Sequence, residues 1–272
     1  MLKVRVLTVL LLLPLFLAAL FLLPETVWAL LMLGVALIGA SEWSKISAYS
    51  GFQGWVYVLL TLLIGLALLT VSSRSANFML YGMAFLFWAF LVPLWLRNQW
   101  RTRQWAIMAL TGWVILIPTW LALVELRSFG HSLFLGLLTV VWIADIAAYF
   151  SGRKFGRHKL APAISPGKTW EGVAGAFLGV TLYAVAWGMW DSSSIPFNSG
   201  LWRGVLLLWL LTLFSILGDL FESWMKRVAG LKDSGRILPG HGGVLDRIDA
   251  LTAAMPLAAF GLLFIKNHNV LS

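Results

Sequence analysis

The chain has 272 residues, of which 60% are hydrophobic and only 11% charged, and its mean hydropathy is +0.88. Soluble domains carry about a quarter charged residues, so the composition excludes an ordinary soluble domain. The net charge of +9 would suggest nucleic acid in a soluble protein. Here, basic residues flanking membrane helices account for it, and no nucleic-acid partner is expected. With no cysteine, disulfides, thiolate metal sites and a cysteine nucleophile are excluded.

A membrane-crossing helix needs about 20 mainly apolar residues, and such runs recur along the chain. They are continuous, not alternating, so helices are expected and a β-barrel is not. Lys3 and Arg5 precede an apolar stretch over 6–40. That stretch is longer than the 7–15-residue core of a signal peptide. Pro24 and Glu25 divide it into two helices, about 6–23 and 25–40. A small polar loop is expected over 41–54, a third span over 55–71, a turn at 72–75 and a fourth span over 78–96. A basic loop with Arg97, Arg101 and Arg103 leads to a fifth span over 105–124, with Pro118 inside it. The sixth span, 132–150, carries Asp145, and a basic loop over 151–170 follows. The seventh, 172–190, presents Gly172, Gly175 and Gly179 on one small face suited to close packing. A polar loop over 191–200, an eighth span over 201–220 and a ninth over 250–265 complete the reading.

The expected fold class is therefore all-α: a polytopic integral membrane helical bundle of about nine transmembrane helices with a cytoplasmic N-terminus. It divides into N-terminal membrane helices over 1–130 (about five spans) and a C-terminal catalytic membrane region over 131–272 (about four spans), with cytoplasmic loops at 151–171 and 221–249. In this topology sixteen Lys and Arg lie on the inner side and four on the outer, namely Arg74, Arg127, Arg203 and Lys266. That asymmetry follows the positive-inside rule. Trp28, Trp55, Trp95, Trp100, Trp105, Trp190 and Trp202 lie near span ends and are read as an interfacial belt.

Charge collects in 218–249. Asp219, Glu222, Ser223, Lys226 and Arg227 share one helix face at i, i+3, i+4, i+7 and i+8. An ionised Asp at membrane depth costs about 2.5–3.5 kcal/mol on insertion scales, which a divalent cation or a salt bridge would offset. Downstream, Gly240, Gly242 and Gly243 surround His241. Such a backbone can approach a ligand closely and present N–H groups to phosphate oxygens. Asp246 and Asp249 follow, and for Asp249 a first-turn helix role stands beside a functional one. An oxygen-only set with few carboxylates suits Mg²⁺. The run Gly167-Lys168-Thr169 is not a Walker A loop, because position 162 is Pro and no buried strand precedes it. Lys and Thr at a helix entrance can still bind phosphate.

Several segments together carry a resemblance. Ser223-Trp-Met-Lys226-Arg227, Lys232-Asp233-Ser-Gly235, Leu238-Pro239-Gly240-His241-Gly242-Gly243 and Asp246-Arg247-Ile-Asp249 resemble the signature of phosphatidate cytidylyltransferases, or CDP-diacylglycerol synthases. The stretch from Asp145 through Gly152-Arg153 to Gly156, and Ser165-Pro166-Gly167-Lys168-Thr169-Trp170-Glu171-Gly172, also look like that family. The resemblance covers the second half; the first half offers only its polytopic character. It implies transfer of the cytidylyl group of CTP to phosphatidate, giving CDP-diacylglycerol and pyrophosphate, with Mg²⁺, at a cytoplasm-facing site in a bacterial-type inner membrane.

Under that reading Asp219 and Asp246 are the expected Mg²⁺ ligands, with Asp145 or Glu222 as outer partners. Lys226, Arg227, Arg247 and Lys168 contact phosphates. Ser223, Thr169 and the backbone of Gly240, His241, Gly242 and Gly243 position them, with Ser165, Lys232 and Asp233 as further substrate contacts. A second cation and a homodimer are left open. The alternatives are a CTP-dependent polyprenol or phytol kinase, which would need a base for a hydroxyl nucleophile, and a membrane transporter. Transporters bury ionisable groups near the midplane, whereas the charges here gather at one face.

Overall fold

The computed structural model describes residues 2–71, 73–194, 196–197 and 200–269. Ser72 of the expected turn and Ile195, Asn198 and Ser199 of the expected loop lie outside these. So do the side chains of Lys3, Arg5 and Lys266. The described residues form nine helices: α1 Leu2–Leu22, α2 Glu25–Ile46, α3 Gly51–Val71, α4 Arg74–Asn98, α5 Trp105–Ser128, α6 His131–Phe155, α7 Trp170–Trp190, α8 Leu201–Ala229 and α9 Leu245–Asn269. Eight of them, α2 to α9, are long and apolar enough to cross a membrane. The chain is an integral membrane protein built as a helical bundle. Its outer faces are apolar: Leu10, Leu182 and Leu206 are all more than half exposed, as lipid-facing side chains must be where backbone polarity is satisfied within each helix.

Several boundaries differ from the sequence reading: α3 and α4 start earlier, at Gly51 and Arg74, α5 ends later, at Ser128, and α9 starts earlier, at Leu245. The helices on the polar side of the bundle run past their apolar segments, because their ends carry one polar and one buried face. α2 continues through the expected loop to Ile46, α6 to Phe155 and α8 to Ala229. The loop expected over 151–170 is also partly folded. It holds an antiparallel hairpin, β1 Lys159–Ala161 and β2 Ser165–Thr169, the one departure from an all-α chain among the described residues.

The two sequence regions interlock. α9 packs on α4 and α5 as well as on α6 and α8. α5 is tied to α2 by indole hydrogen bonds: Trp28 Nε1 donates to Leu123 O (3.1 Å), Trp43 Nε1 to Met108 O (2.8 Å) and Trp120 Nε1 to Ala29 O (2.9 Å). Arg127, buried, donates to the carbonyls of Leu20 and Leu23 at the end of α1. The interfacial belt therefore needs correcting. Trp55, Trp190 and Trp202 are largely exposed and fit it, but Trp28 and Trp95 are core residues whose N–H groups find buried acceptors.

A π-turn at Phe87–Leu91 interrupts α4 just before Pro93, which has no N–H to continue the ladder. It presents Phe87 and Trp88, with Trp95, edge-on to Phe221 of α8. The glycine face of α7 is filled by α6: a Cβ at Gly175 would strike Ser151, and one at Gly179 would strike Ala147. It is a packing seam, as its small residues suggest, and its first member, Gly172, also lines the cavity described below.

The tightest crossing lies between α8 and α9. A Cβ on Gly218 would fall 2.5 Å from Asp249 O, so only glycine lets the start of α9 approach the middle of α8. Gly218→Ala is expected to destabilise the fold by about 1–3 kcal/mol through overpacking and to lower turnover. Thermal melting of the detergent-solubilised protein measures the first effect.

Candidate active site

The polar ends of α6, α8 and α9, the hairpin and the Gly-rich loop meet on one side of the bundle. A cavity of about 680 Å³ opens there, walled by α6 (Asp145, Tyr149, Gly152, Arg153), the hairpin (Lys159, Ser165, Lys168, Thr169) and α8 (Asp219). Its size and mixed lining are those of a small-molecule site. Across it, Lys168 Nζ stands 2.5 Å from Asp219 Oδ2, while Asp219 Oδ1 accepts from Ser223 Oγ at 3.2 Å. Asp145 lies within electrostatic reach of Asp219, Lys168 and Arg247.

Local structure explains the lysine's position. β1 and β2 pair in antiparallel register, Lys159 opposite Thr169, and the hairpin ends directly in α7. Thr169 is the N-cap: its Oγ1 accepts from Gly172 N at 3.1 Å. Gly152, Gly156 and Gly172 crowd round that hydroxyl, leaving no comfortable place for a Cβ at any of them. The hairpin is thereby pressed against α6, and Lys168 is carried over the cavity.

A second polar cluster begins where the first ends. Lys226, buried, places Nζ 2.5 Å from Asp246 Oδ1 and 3.3 Å from Glu222 Oε1. Asp246 Oδ2 accepts from Ser234 N (2.9 Å) and Gly243 N (2.8 Å). Asp249 is coupled electrostatically to both Asp219 and Glu222. The carboxylates thus run as a chain, Asp219, Asp249, Glu222, Asp246, from the cavity wall to the Gly-rich loop.

Gly240 and Gly242 adopt φ of 74° and 81°, a region that side chains disfavour. A Cβ on Gly242 would also meet Asp246 Oδ2. The turn closes with Leu238 N donating to Gly242 O at 3.0 Å. His241 turns its ring inward, where Nδ1 is buried with no hydrogen-bond partner in the structure.

Not every expected residue reaches the cavity. Arg227 donates to Ile164 O in the hairpin turn and Leu231 O, so it fastens the hairpin to α8. Lys232, Asp233 and Arg247 are exposed and do not line the cavity, though Arg247 lies within electrostatic reach of Asp145. Asp219 and Asp246 are joined only through Glu222 and Asp249. Among the described residues no three Asp, Glu or His side chains close around one metal position. The oxygen donors still fit Mg²⁺, which needs one or two carboxylates and takes its other ligands from water and phosphate. An ionised carboxylate has about four lone-pair positions; Asp219 uses two and Asp246 three. The lysine ammonium held at each marks a place where a cation is favourable.

A model of the cytidylyltransferase family matches residues 3–265, nearly the whole chain. The chain belongs to that family. It is similar to a phosphatidate cytidylyltransferase of Pseudomonas aeruginosa, 40% identical over 95% of this chain and 96% of the relative. Proteins of the same name from Haemophilus influenzae and Brucella suis are 32% and 38% identical; the first aligns over 97% of this chain and all of the relative, the second over 88% and 86%. The cytidylyltransferase match spans both halves, so the helices of the first half are as much part of the family architecture as the charged loops.

Three residues given no role by the sequence line the cavity: Lys159, readable only as a basic loop residue, and Tyr149 and Arg153, which lay unassigned inside the segment that carries the resemblance. Glu42 was assigned to a loop. Its only signal was an acid between two apolar helices, beside Trp43.

Thr169→Ala removes the cap of α7 and is expected to cost about 1 kcal/mol. A lowered melting temperature in detergent, with the protein still extractable, is the outcome to look for.

Proposed function

We propose that this cytidylyltransferase-family chain transfers the cytidylyl group of CTP to phosphatidate, giving CDP-diacylglycerol and pyrophosphate. The observation that carries the proposal is the Lys168–Asp219 pair at 2.5 Å on the wall of a polar cavity in a membrane bundle. A cation poised over an acid there can receive a phosphate while the acid takes another cation. The shared name of the relatives supports the same reaction.

The lipid phosphate is itself an ionised nucleophile near neutral pH, so no serine nucleophile and no strong base is required. The work of the site is to bring two anions together in line and to stabilise charge on the transferring group. Lys168, Arg153 and Lys159 line the cavity and bind phosphates. Ser223 orients Asp219. The Gly-rich loop holds Asp246 through Gly243 N, and Lys226 balances Asp246 and Glu222. Mg²⁺, held by Asp219 and Asp246, would supply charge stabilisation on the α-phosphoryl group and the leaving pyrophosphate.

Pyrophosphate release from CTP, dependent on both phosphatidate and Mg²⁺, is the expected activity. Release of CDP instead would make the chain a kinase. Asp219→Asn should lower kcat by about 10²–10³-fold in a protein that still extracts intact, and near-normal turnover would remove Asp219 from the site.

We place the cavity on the cytoplasmic side of a bacterial inner membrane. The excess of Lys and Arg on that side and the bacterial relatives support this. The absence of cysteine makes it directly testable. Lys154→Cys, at the exposed end of α6, should react with an impermeant maleimide in inside-out vesicles and not in intact spheroplasts. The reverse pattern would invert the topology.

A further inference from the structure

Glu42 is the acid that the reaction above leaves without a task. It lies on α2, in the half of the chain away from the charged loops, and its surface is 0% exposed. A buried carboxylate needs partners or a counter-charge. Glu42 has no ion pair among the described residues; its partners are all hydrogen-bond donors from the segment 234–245. Val244 N donates to Oε1 at 3.0 Å, Leu245 N to Oε2 at 2.7 Å, and Ser234 Oγ to Oε2 at 2.9 Å. Leu245 opens α9 and Val244 directly precedes it; the first N–H groups of a helix have no acceptor within it, and its N-terminal end favours negative charge. A side chain just over two hundred residues away in sequence therefore caps the helix that carries Asp246 and Asp249.

The contact continues to the site. Ser234 donates its hydroxyl to Glu42 and its backbone N–H to Asp246 Oδ2 at 2.9 Å, and its Oγ accepts from Asp246 N at 3.3 Å. One serine thus links the two acids, with Asp246 held at both backbone and side chain. The surroundings are shaped for it: a Cβ at Gly235 or Gly243 would strike the Glu42 carboxylate. α2 itself is fixed by Trp43 Nε1, which donates to Met108 O on α5 at 2.8 Å.

We propose that Glu42 is a positioning residue for the reaction, which sets Asp246 and the Gly-rich loop through Ser234 and the start of α9. The proposal rests on the assignment of Asp246 to the site. Glu42 touches no substrate, so its loss acts on turnover more than on substrate binding. Replacing it by Gln keeps the shape and forces an amide N–H₂ to face an N–H or the hydroxyl. Partners of this kind typically cost 10–100-fold when altered.

The test compares Glu42→Gln, Ser234→Ala, their combination and Asp246→Asn in full-length detergent-solubilised enzyme, with kcat, both KM values and melting temperature for each. Glu42→Gln and Ser234→Ala should each lower kcat by about 10–100-fold, with KM for CTP and phosphatidate within about threefold. The double variant should be little worse than Glu42→Gln, because both changes break one link. Unchanged kcat per folded molecule in both single variants overturns the proposal, as do losses that multiply in the double variant. A lowered melting temperature with kcat intact would make Glu42 a fold residue only and would also overturn it. If Glu42→Gln cannot be extracted, Ser234→Ala decides alone by the same kcat criterion. An Asp246→Asn enzyme with near-full activity would instead remove Asp246 from the reaction, and the relay with it. An inactive Asp246→Asn beside normal Glu42→Gln and Ser234→Ala would defeat the relay alone.

Discussion

The polar cluster between α8 and α9 is arranged around the ammonium of Lys226, buried between Glu222 and Asp246. A charge at that depth is tolerable only when paired, and removing one partner of a buried pair typically costs about 3–5 kcal/mol. The pairing obliges α8 and α9 to meet, since Lys226 comes from one and Asp246 from the other. Gly218 permits the approach by offering no Cβ at the crossing. From that contact follow the position of the Gly-rich loop, whose Gly243 N–H must satisfy Asp246, and the chain of carboxylates that leads to Asp219.

Asp219 joins two parts with different origins. On one side is the carboxylate chain between α8 and α9; on the other is the cavity formed by α6 and the hairpin. The hairpin is a small element with a specific task. Its pairing brings Thr169 to the start of α7, and the cap at Gly172 N fixes the direction in which Lys168 leaves the strand. Arg227 closes the arrangement from α8 by holding the hairpin turn at Ile164 O. A phosphate entering the cavity would meet a lysine already held in place, so little side-chain entropy remains to be lost on binding.

The first half of the chain does more than supply spans. Trp43 and Trp120 lock α2 to α5 through buried indole hydrogen bonds. α5 in turn lies against α9, and Glu42 receives the first N–H groups of that helix. The aromatic group made by Phe87, Trp88, Trp95 and Phe221 supports α8 from α4. The site-bearing helices are therefore held from behind by residues that carry no chemistry of their own.

By itself the sequence determined the solvent and the helical architecture, and it singled out Asp145, Ser165, Lys168, Thr169 and Asp219, which the fold brings to one cavity. Long uninterrupted apolar runs have one solution in lipid; Asp219 was conspicuous because charge beside such a run demands a reason, and Lys226 and Asp246 because charge collects in 218–249. The expected break at Pro24 was also close, because helix breaks are local events. Only the tertiary structure decided who pairs with whom. Lys168 meets Asp219 across 51 positions of sequence, Arg227 turns to the hairpin instead of the cavity, and Glu42 reaches Val244 and Leu245 from the other half. Periodicity reports which face of a helix is polar; it does not report what lies opposite. Glu42 was hidden for that reason: its partners are backbone N–H groups, which every residue has and which leave no mark in a sequence.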